Sequence, residues 1–346
     1  MRLAGVMATF LVLAVGPATA WAGTARVAEK PVDPEECPAN VECSYAVLEF
    51  TGAPGEANRV EVSAGGPERT YVIRDDGADV QPGPGCTPQG RRAVRCEIPA
   101  GVQFHEVDLR GGDMNDELTL SVPILGSMRG EAGDDVIVGS ETADRIAGGP
   151  GADRMSGRGE RDFFEEDATR AAVDDDTVDG GPGFDEIDYA ERRRPVRVNL
   201  ADPSAPAGES GEGDRLTSVE TVRGGQADDV LRAGAERVLF YGGPGDDRLH
   251  GALGDDSLWA GEGDDRLYGG GGVDILEGED GSDGLVGGCG RDYLRGGNGR
   301  DRLYADDGYR DKVGGGSGTD FARFDQLDLV RHVESRQRRR IDACAL

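Results

Sequence analysis

Histidine is nearly missing from this chain: its 346 residues hold three, His105, His250 and His332. A serine or cysteine triad needs a histidine base beside its nucleophile, and only His105 lies outside the repeated tract and its end. His105-Glu106 begins as a zinc-protease helix would, but the histidine due at position 109 is Leu109. No G-x-S-x-G nucleophile elbow occurs either. The chain is therefore read as not an enzyme. Basic charge is also short, with 38 Lys and Arg against 67 Asp and Glu, a formal net charge of −29. Nucleic-acid binding relies on basic side chains that neutralise phosphates, so no nucleic-acid partner is expected. A compact fold of this charge repels itself unless something cationic neutralises it. Beyond residue 22 no apolar run is long enough to span a bilayer, so no membrane span is expected in the mature chain.

What is present begins with an address. Arg2, the apolar stretch Leu3 to Val15 and the small residues Pro17-Ala18-Thr19-Ala20 read as a cleavable secretory signal over 1–22. The competing reading is a retained anchor, but the apolar stretch is shorter than the roughly 20 residues a spanning helix needs. A secreted, extracellular protein is expected. Six cysteines suit an oxidising compartment, with Cys37–Cys43 and Cys86–Cys96 as local pairs, and Cys289 and Cys344 either bridged or free. A zinc site competes, but no cysteine pair has the ligand spacing and no histidine lies near.

Seven nine-residue units run without a gap from Gly242 to Tyr304. Each places a glycine fourth, an aspartate sixth and a leucine eighth, from Gly245, Asp247 and Leu249 to Gly299, Asp301 and Leu303. One isolated repeat of this kind could be a solvated, disordered tail. Seven in register specify a stacked solenoid, because no single unit can bury its leucine alone. Paired glycines allow a tight turn whose carbonyls face inward, and the aspartate adds a carboxylate. Calcium takes six to eight hard oxygen ligands, carbonyls included, so this phrase fits several Ca2+ ions held between turns. The last three positions form a short strand, leucine inward and its flanking residues outward.

The ligands expected are Asp135, Asp144, Asp153, Asp185, Asp229, Asp247, Asp256, Asp265, Asp274, Asp283, Asp292 and Asp301. Turn glycines join them: Gly243, Gly245, Gly254, Gly261, Gly263, Gly270, Gly272, Gly281, Gly288, Gly290, Gly297 and Gly299. The fifth-position Asp246, Asp255 and Asp264 are read as a solubilising face rather than as main ligands. Tyr241, Tyr268, Tyr293 and Tyr304 could suggest a carbohydrate-stacking surface, but aromatics on strands more often reflect β propensity.

The phrase resembles the G-G-x-G-x-D-x-U-x repeat of the repeats-in-toxin (RTX), or haemolysin-type calcium-binding, family, and DGLVGGCGRDYLRGGNGRD from Asp283 to Asp301 is a full tandem form. The resemblance covers about Gly111 to Asp320 with interruptions and implies a parallel β-roll with two nonapeptides per turn. It places ions between loops on one edge, so that Asp247 works with the loop around Gly261–Asp265, and Asp256 with the loop around Gly270–Asp274. The region before the repeats resembles the β-rich leader of secreted actinobacterial relatives. This chain departs from the pattern at Ala252, Ala260 and Glu279, which replace turn glycines, and at Ala227, which replaces the fourth-position glycine. Thr142 and Glu160 replace mid-turn glycines in the earlier block, so those turns should be less regular.

The expected fold is all-β, a parallel β-roll with a small β-rich N-terminal region. Its organisation is a signal over 1–22, a linker over 23–44, a β-rich region over 45–110, and a first repeat block over 111–188. An insertion over 189–223 stays part of the stack; a second block spans 224–323 and a cap 324–346. Function is read as a calcium-driven structural or adhesive rod, with a cell-wall or matrix component as a possible partner. The alternative is an accessory or carrier module for a separately encoded secreted enzyme or toxin.

Overall fold

A computed structural model describes residues 22–31, 44–166 and 175–338. Among them every regular element is a strand, and these strands wind into a parallel β-solenoid of about 12 turns. One wall is a continuous 15-stranded sheet, and the facing wall is built from two 9-stranded sheets in succession.

The period of the sequence sets the winding. A three-residue strand and a turn make one nonapeptide, and consecutive nonapeptides go to opposite walls, so each strand pairs with the one two units on. On one wall Leu249 aligns with Leu267, Leu267 with Leu285 and Leu285 with Leu303. On the other, Leu258 aligns with Leu276 and Leu276 with Leu294. These leucines are buried and form one column along the axis. Burying each stabilises the stack by roughly 1.5–3 kcal/mol. Outward neighbours are mostly exposed, such as Arg248, Arg266 and Tyr293; Ser257 is the exception and is buried.

The first described strand, Gly23–Pro31, lies within the expected linker and corrects that expectation. It pairs antiparallel with Ser44–Thr51 and parallel with Val80–Pro82. Ala25 and Val27 point into the core while Thr24 and Arg26 are exposed, an alternation that the nearby prolines obscured. Gln103–Gly112 pairs with Ser44–Thr51 on one side and Gly126–Glu131 on the other, so the sheet runs unbroken into the repeats. The N-terminal region also has an antiparallel meander, in which Cys96 is bonded to Cys86. Cys289 is disulfide-bonded too. The pairings expected for Cys37, Cys43 and Cys344 lie outside the described residues, as does the signal segment 1–21.

Between Tyr189 and Val222 the nonapeptide period lapses, yet the stack continues. Arg215–Thr217 pairs with Thr177–Asp179 at the edge of the first 9-stranded sheet, and Val196–Asn199 opens the second by pairing with Val230–Arg232. Thr221–Arg223 meanwhile joins Glu186–Asp188 to Leu239–Pro244, which carries the long sheet across the junction.

Candidate metal sites between the turns

Each repeat aspartate stands at the end of its turn, immediately before the strand. Its side chain is held by the aspartate one layer earlier. The N–H of Asp229 donates to Oδ1 of Asp247 at 2.7 Å, that of Asp247 to Asp265 at 2.6 Å, and that of Asp265 to Asp283 at 2.9 Å. The ladder goes on through Asp301 and Asp320 to Glu334. On the opposite edge a second ladder links Asp256, Asp274, Asp292, Asp311 and Asp328. In the first block the same bonds join Asp116 to Asp135 and Asp135 to Asp153, and join Asp144 to Asp162 and Asp162 to Asp185.

The other carboxylate oxygen is the informative one. Oδ2 is buried and has no hydrogen-bond partner among the described residues in Asp135, Asp185, Asp247, Asp256, Asp265, Asp274, Asp283, Asp292 and Asp301. A buried carboxylate oxygen left in this way is costly. In most of these turns it faces the first residue, a glycine, where a carbonyl from the next layer also arrives; the Asp265 turn begins with Ala260 instead. A Cβ added at Gly242 would strike both Asp247 Oδ2 and the Ala260 carbonyl oxygen. The same pair of atoms recurs at Gly251 with Asp256 and Gly269, at Gly269 with Asp274 and Gly287, and at Gly278 with Asp283 and Gly296. Absence of a side chain at the first position therefore lets the carboxylate oxygen and the carbonyl oxygen converge on one point. Such a donor set, one carboxylate and backbone carbonyls, fits a hard cation. No cluster of three or more His, Cys, Asp or Glu side chains that could hold a metal is present among the described residues, so carbonyls must complete any shell.

Electrostatics point the same way. Burial, opposed by the hydrogen bond from the preceding aspartate amide, pushes Asp247 up to about 8. Burial likewise raises Asp256, Asp265, Asp283 and Asp292 to about 7, and Asp274 and Asp301 to about 6. Neighbouring carboxylates add to the rise at Asp247, Asp283 and Asp292.

Two expected ligands differ. Oδ2 of Asp144 accepts the N–H of Ser140, and Oδ2 of Asp229 accepts the N–H of Gly225, both at 2.5 Å. Their spaces are already bridged by protein. The two turns differ from the rest at their second residue. In the other turns it takes the left-handed region, as Gly243 (φ 104°), Gly261 (118°) and Gly288 (101°) do. Ser140 and Gly225 do not take it. Ala252 and Glu279, which replace glycine at this position, are nonetheless left-handed at φ 77° and 71° and leave Asp256 and Asp283 open. Glu160 at the mid-turn also turns left-handed, at φ 62°.

Of the expected turn glycines, Gly243, Gly245, Gly261, Gly263, Gly270, Gly272, Gly281, Gly288, Gly290, Gly297 and Gly299 have positive φ, and Gly254 does not. Asp153 accepts the Asp135 amide in the ladder. Sequence reasoning overlooked the first-position carbonyls, whose column at Gly242, Gly251, Ala260 and Gly269 was already visible in the repeat. It also passed over Asp162, Asp311 and Asp320, whose Oδ2 atoms are buried and unpartnered in the same way. The fifth-position aspartates are exposed, but they bridge layers: Oδ1 of Asp228 accepts the Asp246 amide at 3.0 Å, and that of Asp246 accepts the Asp264 amide at 2.9 Å. Outward rings stack on one another, Tyr241 on Trp259 and His250 on Tyr268.

A parallel solenoid whose turns present a carboxylate and carbonyls in every layer defines the class as a β-roll built to hold cations. Residues 129–164 and 223–322 match, in overlapping copies, the family model of the RTX calcium-binding nonapeptide repeat. Over these segments the chain consists of RTX repeats. A search of curated proteins finds no match to the chain.

Proposed function

We propose that this protein is a calcium-binding β-roll whose rigidity depends on calcium and which serves outside the cell as a structural or adhesive rod. The observation that carries it is the column of buried, unpartnered Oδ2 atoms, which at Asp247, Asp256, Asp274, Asp283 and Asp301 share their turn's first position with a carbonyl of the next layer. Asp247, Asp256, Asp265, Asp274, Asp283, Asp292 and Asp301 would hold the ions together with first-position carbonyls and the turn glycines. Calcium, when bound, supplies the positive charge that these oxygens lack. The chain itself supplies the spacing: each aspartate is fixed through Oδ1, so Oδ2 has one direction in which to point.

Without that charge the stack faces its own repulsion, with carboxylates repeating at about the 4.8 Å separation of neighbouring strands. Coupling of binding to folding follows from this balance. Secretion is supported by the N-terminal pattern and by the cysteines. No helix among the described residues is long and apolar enough to cross a membrane. No catalytic role is proposed; His250 is stacked on Tyr268, and His105 lies tilted against Tyr45. The test is calorimetric calcium titration of the full chain followed by circular dichroism. Several ions bound with a gain of β signal supports the reading, and no heat of binding would exclude it.

A further inference from the structure

Asn58 stands where the other turns of its edge carry an acid. Its turn begins at Gly52, and two residues beyond Asn58 comes Val60, which aligns with Leu118 in the inward column. This turn lies outside the segments matched as RTX repeats. The Asn58 backbone behaves as a ladder member, its N–H donating to Oδ1 of Asp116 at 2.6 Å. Its side chain places a donor where the aspartates place an oxygen, while its own Oδ1 is buried without a hydrogen-bond partner among the described residues. Nδ2 donates to the Gly111 carbonyl at 3.0 Å, to the Glu56 carbonyl at 3.1 Å and to Oδ1 of Asp116 at 3.1 Å.

The location of that nitrogen matters. A Cβ added at Gly52 would strike the Gly111 carbonyl oxygen and Asn58 Nδ2, just as one at Gly242 would strike the Ala260 carbonyl oxygen and Asp247 Oδ2. A hydrogen-bearing nitrogen thus occupies the place that a bare carboxylate oxygen occupies elsewhere. Three oxygens converge on it, and an amide turned the other way would set oxygen against oxygen. Asn58 is only 3% exposed.

We infer that the Asn58 amide substitutes for a cation in the first turn, making it a calcium-independent template on which the calcium-dependent turns stack. The meander Arg59–Ala64, Thr70–Asp75 and Ala93–Glu97, closed by the Cys86–Cys96 bond, holds this turn from the other side. Each later turn then adds to an edge already formed, which avoids the entropic cost of nucleating a parallel sheet from nothing.

The inference rests on the calcium reading above, and the experiment separates the two. Hydrogen exchange of the full native chain is followed in chelator and in millimolar calcium. In chelator, amides of 58–64 and 117–120 are expected to exchange at least about tenfold more slowly than those of 242–304, with calcium removing most of the difference. Loss of protection in both regions together in chelator would overturn the inference while leaving calcium binding intact. A native chain that binds no calcium would overturn both. Asn58→Asp is expected to bind one ion more than the native chain and to make protection of 58–64 depend on calcium; unchanged ion number and unchanged protection in chelator would contradict it. Asn58→Ala, which removes the amide without adding a carboxylate, is expected to lower protection of 58–64 in both conditions with no ion gained; native protection in this variant would also overturn the inference.

Discussion

The backbone N–H of Asp247 donates to Oδ1 of Asp265, 2.6 Å away and eighteen residues later in the chain. One carboxylate oxygen of Asp265 is consumed in holding the preceding layer, and the other is left buried without a hydrogen-bond partner among the described residues. The aspartate column is thus both the clamp of the stack and its ligand row. Removing one aspartate should be felt in both roles.

Asp265→Ala with Asp274→Ala takes one carboxylate from each edge and leaves the amides of Asp247 and Asp256 without their acceptors. Fewer bound ions are expected, with a loss of about 1–3 kcal/mol for each buried donor left unsatisfied. Calorimetric stoichiometry together with denaturant unfolding in calcium checks this. Native stoichiometry in the double variant would remove these residues from the ligand row.

Acidity should act in opposite senses with and without calcium. Burial raises Asp247 to about 8 and Asp265 to about 7 in the cation-free fold, whereas an unfolded aspartate titrates near 3.9. The folded chain therefore binds protons more tightly than the unfolded one, so stability in chelator falls as pH rises from about 4 to about 8. Calcium needs the ionised carboxylates, so its affinity should rise between pH 6 and 8. Melting temperatures at pH 5 and pH 8, in chelator and in calcium, would show the two trends; a melting temperature in chelator that rises with pH would contradict them.

Glu279 is held left-handed at φ 71° between Gly261 and Gly297, in a column where glycine is the rule. A side chain in that region costs roughly 1–2 kcal/mol, partly offset by the greater chain entropy of glycine when unfolded. Glu279→Gly is accordingly expected to stabilise the calcium-loaded protein by about 0.5–1 kcal/mol, read as a higher midpoint in urea. An unchanged or lower midpoint would show that the backbone there is not strained.

Ala260 brings a methyl group to the first position, where Gly242, Gly251 and Gly269 have none and where a Cβ would meet Oδ2 of the turn aspartate. Its turn ends in Asp265. Ala260→Gly is expected to tighten the weakest calcium step without changing the number of ions. Calorimetry resolves this, and an identical binding curve would show that the methyl lies clear of the ion.

Much of this was legible because one physical repeat is one sequence repeat. The Leu249–Leu303 column specified the core and appears as written, while the Asp247–Asp301 column, read from the sequence as ligands, also forms the ladder between layers. Two things were hidden. Whether an aspartate keeps a bare oxygen goes with the backbone of the second turn residue, and the sequence does not distinguish Gly225, which bridges Asp229, from Gly243, which leaves Asp247 open. The solenoid also starts earlier than its motif, since Gly52 to Val60 has an extra residue and an asparagine in place of the aspartate. Strand Gly23–Pro31 was masked for a simpler reason, because its alternation is short and prolines follow it.

Far-ultraviolet circular dichroism of the full chain, recorded while calcium is added to chelated protein and paired with calorimetric ion counting, tests the central claim most directly. The account expects several ions to bind, with a cooperative rise in β signal and a higher melting temperature across the same calcium range. Equal β signal and equal melting temperature in chelator and in millimolar calcium would contradict it.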